Sequence, residues 1–203
     1  MITTTHILIA GAILTRRDAP KKQNMLAFFG GFFPDFSVFV MVAFSAITGV
    51  GRGNMWRSPD GMYWQEPWQS FSAISNSIPL YAFLIILGWM LAMYVPLYRY
   101  YWRLIGIFAA GAMLHVVSDF PVHTDDAHVH FWPITDWRFF SPVSYYQRSN
   151  YGDIVGAVEL VVGVLLAALL IWRFKNLWAR IFIVALLAPY FISLGFIFRY
   201  FVH

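Results

Sequence analysis

Five apolar runs, each long enough to cross a bilayer, constrain this chain more than any other feature: residues 25–47, 77–98, 104–120, 154–172 and 179–201. A spanning helix needs about 20 predominantly apolar residues, within a range of roughly 17–25. A sixth run, 2–14, is shorter and reads either as a half-length helix packed inside a bundle or as a tilted span, with Thr3 or Thr4 as its N-cap. The pattern predicts an all-α polytopic membrane helical bundle of five to six transmembrane helices, forming a single integral membrane domain over residues 1–203. No internal repeat or low-complexity stretch divides it. Composition agrees: 60% of residues are hydrophobic and 12% charged, against about 45–50% and about 25% in soluble domains. That excludes a water-soluble globule and a disordered chain. With 20 Phe and a net charge of only +4, it also excludes a nucleic-acid partner. The absence of Cys removes disulfides, thiolate metal sites and Cys nucleophiles. Residues 1–14 lack a basic leading region, so no cleavable signal is expected.

Charge placement orients the bundle. The connections 15–24, 99–103 and 173–180 hold Arg16, Arg17, Lys21, Lys22, Arg99, Arg103, Arg173, Lys175 and Arg180, nine of the 14 basic residues. The long connections 48–76 and 121–153 carry Asp60, Glu66, Asp125, Asp126, Asp136 and Asp153 beside four Arg. The excess of positive charge on the cytoplasmic side of membrane proteins puts the three short connections inside and the two long ones outside. Trp64, Trp68, Trp132 and Trp137 in the long connections suit an interfacial aromatic belt rather than stacking on a substrate.

The chemistry lies in ionisable residues within apolar runs, each of which costs at least about 2.5–3.5 kcal/mol at mid-bilayer unless partnered. These are His6, Asp35, His115, Asp119 and Glu159. At 1.5 Å per residue they fall between about 12 and about 22 Å from the cytoplasmic helix ends, in one layer roughly 10 Å deep. His115 and Asp119 share one helix face as i and i+4, with Gly111 a turn earlier. Asp35 follows Gly30-Gly31 and Pro34, where a broken or kinked backbone is expected. Residues 115–130 hold four of the six His and three Asp. Imidazole and carboxylate without thiolate suit a divalent metal ion, zinc ahead of manganese, with iron compatible and magnesium disfavoured by so many His.

The candidate metal ligands are His115, Asp119, His123 and His128, with His6 and Asp126 as further ligands or as partners that orient them. The competing reading of His115-x-x-x-Asp119 is a buried hydrogen bond holding two helices together. His130 lies one strand step beyond His128, so one of the two is expected to stand back from the ion. Asp125 points the other way and is read as solvated or as an N-cap. Asp35 is a candidate general base and, like His6 and Asp126, a candidate ligand or partner of one, and Glu159 fits a base, a ligand or a partner of a neighbouring Tyr or His equally well. Asp153 is expected to cap the helix beginning at 154. His203 is terminal and read as inert.

Several of these residues resemble those of a family of bacterial inner-membrane metal-dependent hydrolases, also described as LexA-binding, inner-membrane-associated hydrolases. The likeness rests on Thr5-His6, on Phe33-Pro34-Asp35, and above all on Leu114-His115-Val116-Val117-Ser118-Asp119. It continues through Phe131-Trp132-Pro133, Trp137-Arg138-Phe139 and Ser141-Pro142-Val143-Ser144-Tyr145. The order His, Asp, His-x-x-x-Asp is more distantly similar to the all-helical zinc-dependent phospholipase C type. Two departures stand out. The family's His-Arg-Gly-x-Thr-His-Ser stretch corresponds here to Phe71-Ser72-Ala73-Ile74-Ser75-Asn76-Ser77, without His, and Pro-Asp-x-Asp reads Pro34-Asp35-Phe36-Ser37. Either His123, Asp126 and His128 substitute for the missing ligands, or the site has lost a metal.

The resemblance implies hydrolysis, and burial in a bilayer implies a membrane lipid or lipid-linked ester as substrate, a phosphoester foremost. Asn76 and Arg138 are the candidate substrate-binding residues; snorkelling to the interface is an equal role for Arg138. The location expected is the bacterial inner (cytoplasmic) membrane. The alternative is a non-catalytic accessory or scaffold subunit of a larger membrane complex, with other membrane-protein subunits as partners. A transporter fits less well, because no repeat is present.

Overall fold

The computed structural model describes residues 1–191, and among these every regular element is a helix or helical turn. In order they are α1 (Thr3–Leu14), α2 (Lys21–Phe32), α3 (Phe36–Thr48), the short α4 (Arg52–Trp56), α5 (Trp68–Ser75), α6 (Ile78–Tyr94), α7 (Arg99–Asp119), α8 (Gly152–Arg173) and α9 (Leu177–Ala185). Three stretches are long and apolar enough to cross a membrane: Lys21–Thr48, Pro96–Val122 and Gly152–Arg173. α5 and α6, bent by 42° at the break between them, supply a fourth if they act as one span. Among the described residues the count is therefore three to four, not five to six. The 77–98 run forms 17 residues of α6 before Pro96 breaks it, and α1 has only 12 residues, about 18 Å of helix. The last run, 179–201, is described only as far as residue 191; the rest of that expectation lies outside the described residues.

α7 is the hub, packed against α6, α2 and α1. Small residues allow it. A Cβ on Gly30 of α2 would run into the Phe108 carbonyl oxygen of α7, and one on Gly111 of α7 would stand 2.7 Å from the Ala27 carbonyl oxygen. Such close approach of glycine-bearing helices is how membrane bundles gain packing without a hydrophobic driving force between helices. Outward faces stay apolar: Ile86 and Trp89 of α6 and Leu165 and Trp172 of α8 are all more than half exposed, as lipid contact requires.

α1 is the half-length helix buried in the bundle, against α2, α7 and α8. Neither Thr3 nor Thr4 caps it; Ile2 occupies the cap position without a side-chain bond, and the Thr3 hydroxyl goes instead to Asp35. At its other end Arg173 Nη1 donates to the carbonyls of Gly11, Ala12 and Thr15 at 3.2, 2.8 and 2.8 Å, satisfying acceptors that a helix C-terminus leaves unpaired. α8 begins at Gly152 rather than 154, so Asp153 lies in its first turn. There it pairs with Arg148 at 3.3 Å instead of capping.

The expected break at Pro34 is a 3-10 turn, Phe33–Asp35, that sets Asp35 between α2 and α3. After α7, Pro121 in the turn Phe120–Val122 stops the helix. The chain then folds back over the bundle end. Ile78 N donates to the His130 carbonyl at 2.8 Å, the Ser77 hydroxyl to the Trp132 carbonyl at 2.5 Å, and Ser141 N to the His123 carbonyl at 2.8 Å. These bonds fix where His123–His130 lies.

Candidate metal centre

Two groups of buried side chains converge where α1, α7 and the 123–130 segment meet: His6, His115 and Asp119, and Asp119, His123 and His128. In each group the ligating atoms lie within 4.8 Å of one another, and either can hold a metal ion. Asp119 belongs to both. Its Oδ1 lies 3.2 Å from His6 Nε2 and its Oδ2 2.7 Å from His123 Nε2. The amine nitrogen of Met1 also approaches Oδ1, at 2.5 Å. The i, i+4 spacing of His115 and Asp119 lines them up on α7, and α1 delivers His6 from the side.

Hydrogen bonding fixes the ring protons. The Ser118 hydroxyl donates to the His115 carbonyl at 2.9 Å, so its oxygen is left to accept from His6 Nδ1, also at 2.9 Å. In the neutral ring His6 Nε2 then offers its lone pair on the side of Asp119. His115 Nδ1 can only donate to the Gly31 carbonyl, 2.7 Å away, and its Nε2 has no hydrogen-bond partner although fully buried; Asp35 Oδ1 stands 3.7 Å off. The His6 and His115 rings stack with centroids 3.7 Å apart. With Nδ1 of each ring engaged from behind, the Nε2 atoms of His6 and His115 and the carboxylate of Asp119 form the donor set of a metal site. The chemistry of these residues fits a divalent cation.

The second group follows the same design. His123 Nδ1 faces Asp126 Oδ2 at 3.0 Å, leaving Nε2 towards Asp119. His128 Nδ1 lies 3.0 Å from the Ser72 hydroxyl and 3.2 Å from that of Tyr63, both able to accept its proton. Burial pulls the His123 pKa down, but the carboxylates of Asp119 and Asp126 outweigh it and raise the value to about 9. His128 is pushed well below its ordinary range by burial, with the positive charge of His123 adding to the effect.

Metal-free His123 is protonated through neutral pH, whereas a ligand must be neutral, so binding there releases a proton. Apparent affinity is expected to rise up to about tenfold per pH unit below pH 9 and to flatten above it. For the metal-free protein the sign reverses: the His123 contribution to stability is complete below the unfolded value near 6.5 and is lost as pH rises through about 9. Calorimetric titration between pH 6 and 9.5 checks the first and thermal melts of metal-free protein the second, on pH scales of roughly one unit.

A cavity of about 480 Å³ opens on this centre. Asp35, Asp119, His123, Asp126, His128 and Tyr145 provide its polar part, while Val38, Phe39 and Val42 of α3, with Trp56 and Pro189, provide an apolar wall. His6 and His115 lie behind Asp119, fully buried and outside that lining. Phe39 is 49% exposed and Val42 39%, so the wall continues onto the outer, apolar surface of the bundle.

Other expected site residues stand elsewhere. Glu159 Oε1 accepts from Ile2 N and from the Thr5 hydroxyl, both at 2.6 Å, and Thr5 is hydrogen-bonded onward to Tyr190. Glu159 therefore anchors α1 to α8, away from the cavity. Arg138 donates to the Ala127 carbonyl at 2.7 Å and to Gln69 Oε1 at 2.8 Å, committing its guanidinium to loop structure. The Asn76 amide nitrogen is held by the Ser72 carbonyl at 3.0 Å. Neither Arg138 nor Asn76 lines the cavity. His130 bonds to the Asn76 carbonyl at 3.2 Å and packs beside Phe120, in neither metal-ligating group. Asp125 is exposed and accepts from the Tyr146 hydroxyl. Tyr63, Ser72, Ser118 and the Gly31 carbonyl, which orient the imidazoles, were not expected. Only Ser118, beside Asp119, carried any positional hint.

No family model, no curated protein and no solved structure matches this chain.

Proposed function

We propose that this protein is a membrane-bound, metal-dependent hydrolase of the kind its sequence resembles, acting on a phosphoester of a membrane lipid or lipid-linked molecule. One observation carries the reading: the imidazoles of His123 and His128 and the carboxylate of Asp119 floor a cavity whose other wall is apolar and continues onto the outer surface of α3. A water-soluble substrate has no need of such a wall. Zinc fits the mixed imidazole and carboxylate set best, and manganese second. When bound, the cation supplies Lewis-acid polarisation of a phosphoryl oxygen and acidifies water to a pKa of about 7.

The chain's own residues account for the rest. Asp35 lines the cavity and keeps part of its carboxylate open to it, while the Thr3 hydroxyl holds Oδ2 at 2.5 Å. Its Oδ1 is thereby presented as the proton acceptor, a role for which Glu159 is badly placed. Val38, Phe39 and Val42 position the acyl or isoprenoid portion, and their apolar surface excludes water from it. The loss of family histidines on α5 is offset by His128, which arrives from the following loop and rests on Ser72 of that same helix.

Orientation in a bacterial inner membrane follows the charge pattern. Tyr63 and Ser72 meet His128, so the two acidic connections share one end, and Arg173 meets Thr15, so basic connections share the other. The metal end then faces outward.

Purified protein in mixed micelles, supplied with Zn²⁺ or Mn²⁺, is expected to hydrolyse a phosphomonoester or phosphodiester lipid. Asp35→Asn is expected to lower kcat by about 10²–10⁴-fold, the usual contribution of a positioned base, while metal content stays unchanged. Undiminished turnover by Asp35→Asn would remove that residue from the mechanism; no metal-dependent turnover across a panel of lipid phosphoesters would remove the hydrolase reading.

A further inference from the structure

We infer that Asp119 is shared by two divalent cations, an enclosed one held with His6 and His115 and an accessible one held with His123 and His128 at the cavity floor. The inference rests on the metal-dependent reading above and adds the number of ions and their different access.

Three observations carry it. The two ligand groups have only Asp119 in common, and they divide its carboxylate between them, His6 taking Oδ1 and His123 taking Oδ2. The oxygens of a carboxylate point apart, so an ion seated against one leaves the other free for a second. Each side also brings a complete orienting set of its own: Ser118 and the Gly31 carbonyl for His6 and His115, Asp126, Ser72 and Tyr63 for His123 and His128. An ion in the outer group alone would leave His115 Nε2, fully buried, without a hydrogen-bond partner, at a cost that buried polar groups rarely incur. The shared carboxylate then balances charge that two adjacent cations would otherwise set in repulsion.

Access separates the two. His6 and His115 are fully buried and do not touch the cavity, so the inner position is closed, as structural sites are. His123 and His128 line the cavity, so the outer position is open to a ligand. The inner ion ties α1 to α7; the outer one faces whatever enters from α3.

The test is titration of Mn²⁺ into chelator-treated protein in detergent, read by elemental analysis and by electron paramagnetic resonance. Wild-type protein is expected to bind two equivalents with the spectrum of an exchange-coupled pair. His115→Ala and His128→Ala are each expected to bind one equivalent and to show the uncoupled hyperfine pattern of an isolated ion. Chelator should strip the loaded wild-type protein in two phases, the fast one missing in His128→Ala and the slow one in His115→Ala. Should His115→Ala lose its monodisperse gel-filtration peak, His6→Gln on the same inner group replaces it. A single equivalent in wild-type protein, abolished by either variant, overturns the shared-carboxylate pair while leaving metal dependence standing. No bound Mn²⁺ or Zn²⁺ at all overturns both.

Discussion

Asp119→Asn is expected to empty the metal centre and, with it, to abolish the hydrolysis proposed above. This residue is the one ligand common to both buried groups, and the substitution removes the negative charge that holds cations in a low-dielectric layer. The new amide can offer one neutral oxygen, but its NH₂ end then points at an imidazole lone pair that needs a cation. Changes to residues that merely orient metal ligands already cost about 10–100-fold in affinity, so loss of a shared ligand is expected to exceed about 100-fold for both groups. His123 also loses the stronger of its two carboxylate partners, so its pKa, about 9 in the parent, is expected to fall. Metal content by elemental analysis and the His123 titration by NMR measure the two effects. Asp125→Asn, on an exposed carboxylate bound to Tyr146, serves as the control and should retain full metal. Unaltered metal in Asp119→Asn would mean that these histidines bind nothing together.

Gly111→Leu is expected to prevent assembly of the bundle. At this position α2 and α7 approach so closely that even a Cβ would sit 2.7 Å from the Ala27 carbonyl oxygen and 3.1 Å from Gly30 Cα. The obstacles are backbone atoms, which cannot rotate aside, so the cost is expected at or beyond the top of the roughly 1–3 kcal/mol typical of overpacking. The same displacement carries Gly31 away from His115, whose Nδ1 depends on its carbonyl. Loss of a monodisperse detergent complex, together with loss of metal, is the expected result. Gly156→Ala, where nothing lies within 4 Å of the added methyl, should be neutral or slightly stabilising, by up to about 1 kcal/mol. Normal assembly of Gly111→Leu would mean that the close α2–α7 contact does not hold the site together.

Apolar runs were enough to read an all-helical chain with helices long and apolar enough to cross a membrane, because such runs follow directly from the cost of polar groups in lipid. The number of spans was harder to read. Hydropathy cannot distinguish α1, buried against protein, from a helix facing lipid, and it does not register the bend between α5 and α6. For the site, His115 and Asp119 were legible from helical periodicity, and His6 and Asp35 from their depth. The loop ligands were harder: His128 turns towards the metal centre and His130 towards Asn76 only because Ile78 and Ser77 bond to the His130 and Trp132 carbonyls. Such tertiary bonds leave no periodic trace. The sequence left open which of several roles Glu159 and Arg138 take. A charged residue inside or beside a membrane is costly wherever it lies, and here the cost is met by Thr5, Ile2, Gln69 and backbone carbonyls rather than by a ligand.

X-ray absorption at the zinc edge, on protein purified from zinc-supplied cells, tests the central claim most directly. The account predicts stoichiometric zinc in a first shell of nitrogen and oxygen at about 2.0–2.2 Å, with the outer-shell scattering of imidazole and no sulfur at about 2.3 Å. Loss of that imidazole signal in Asp119→Asn is expected to follow. Protein carrying no metal above the buffer blank, or zinc surrounded by oxygen alone, would contradict it.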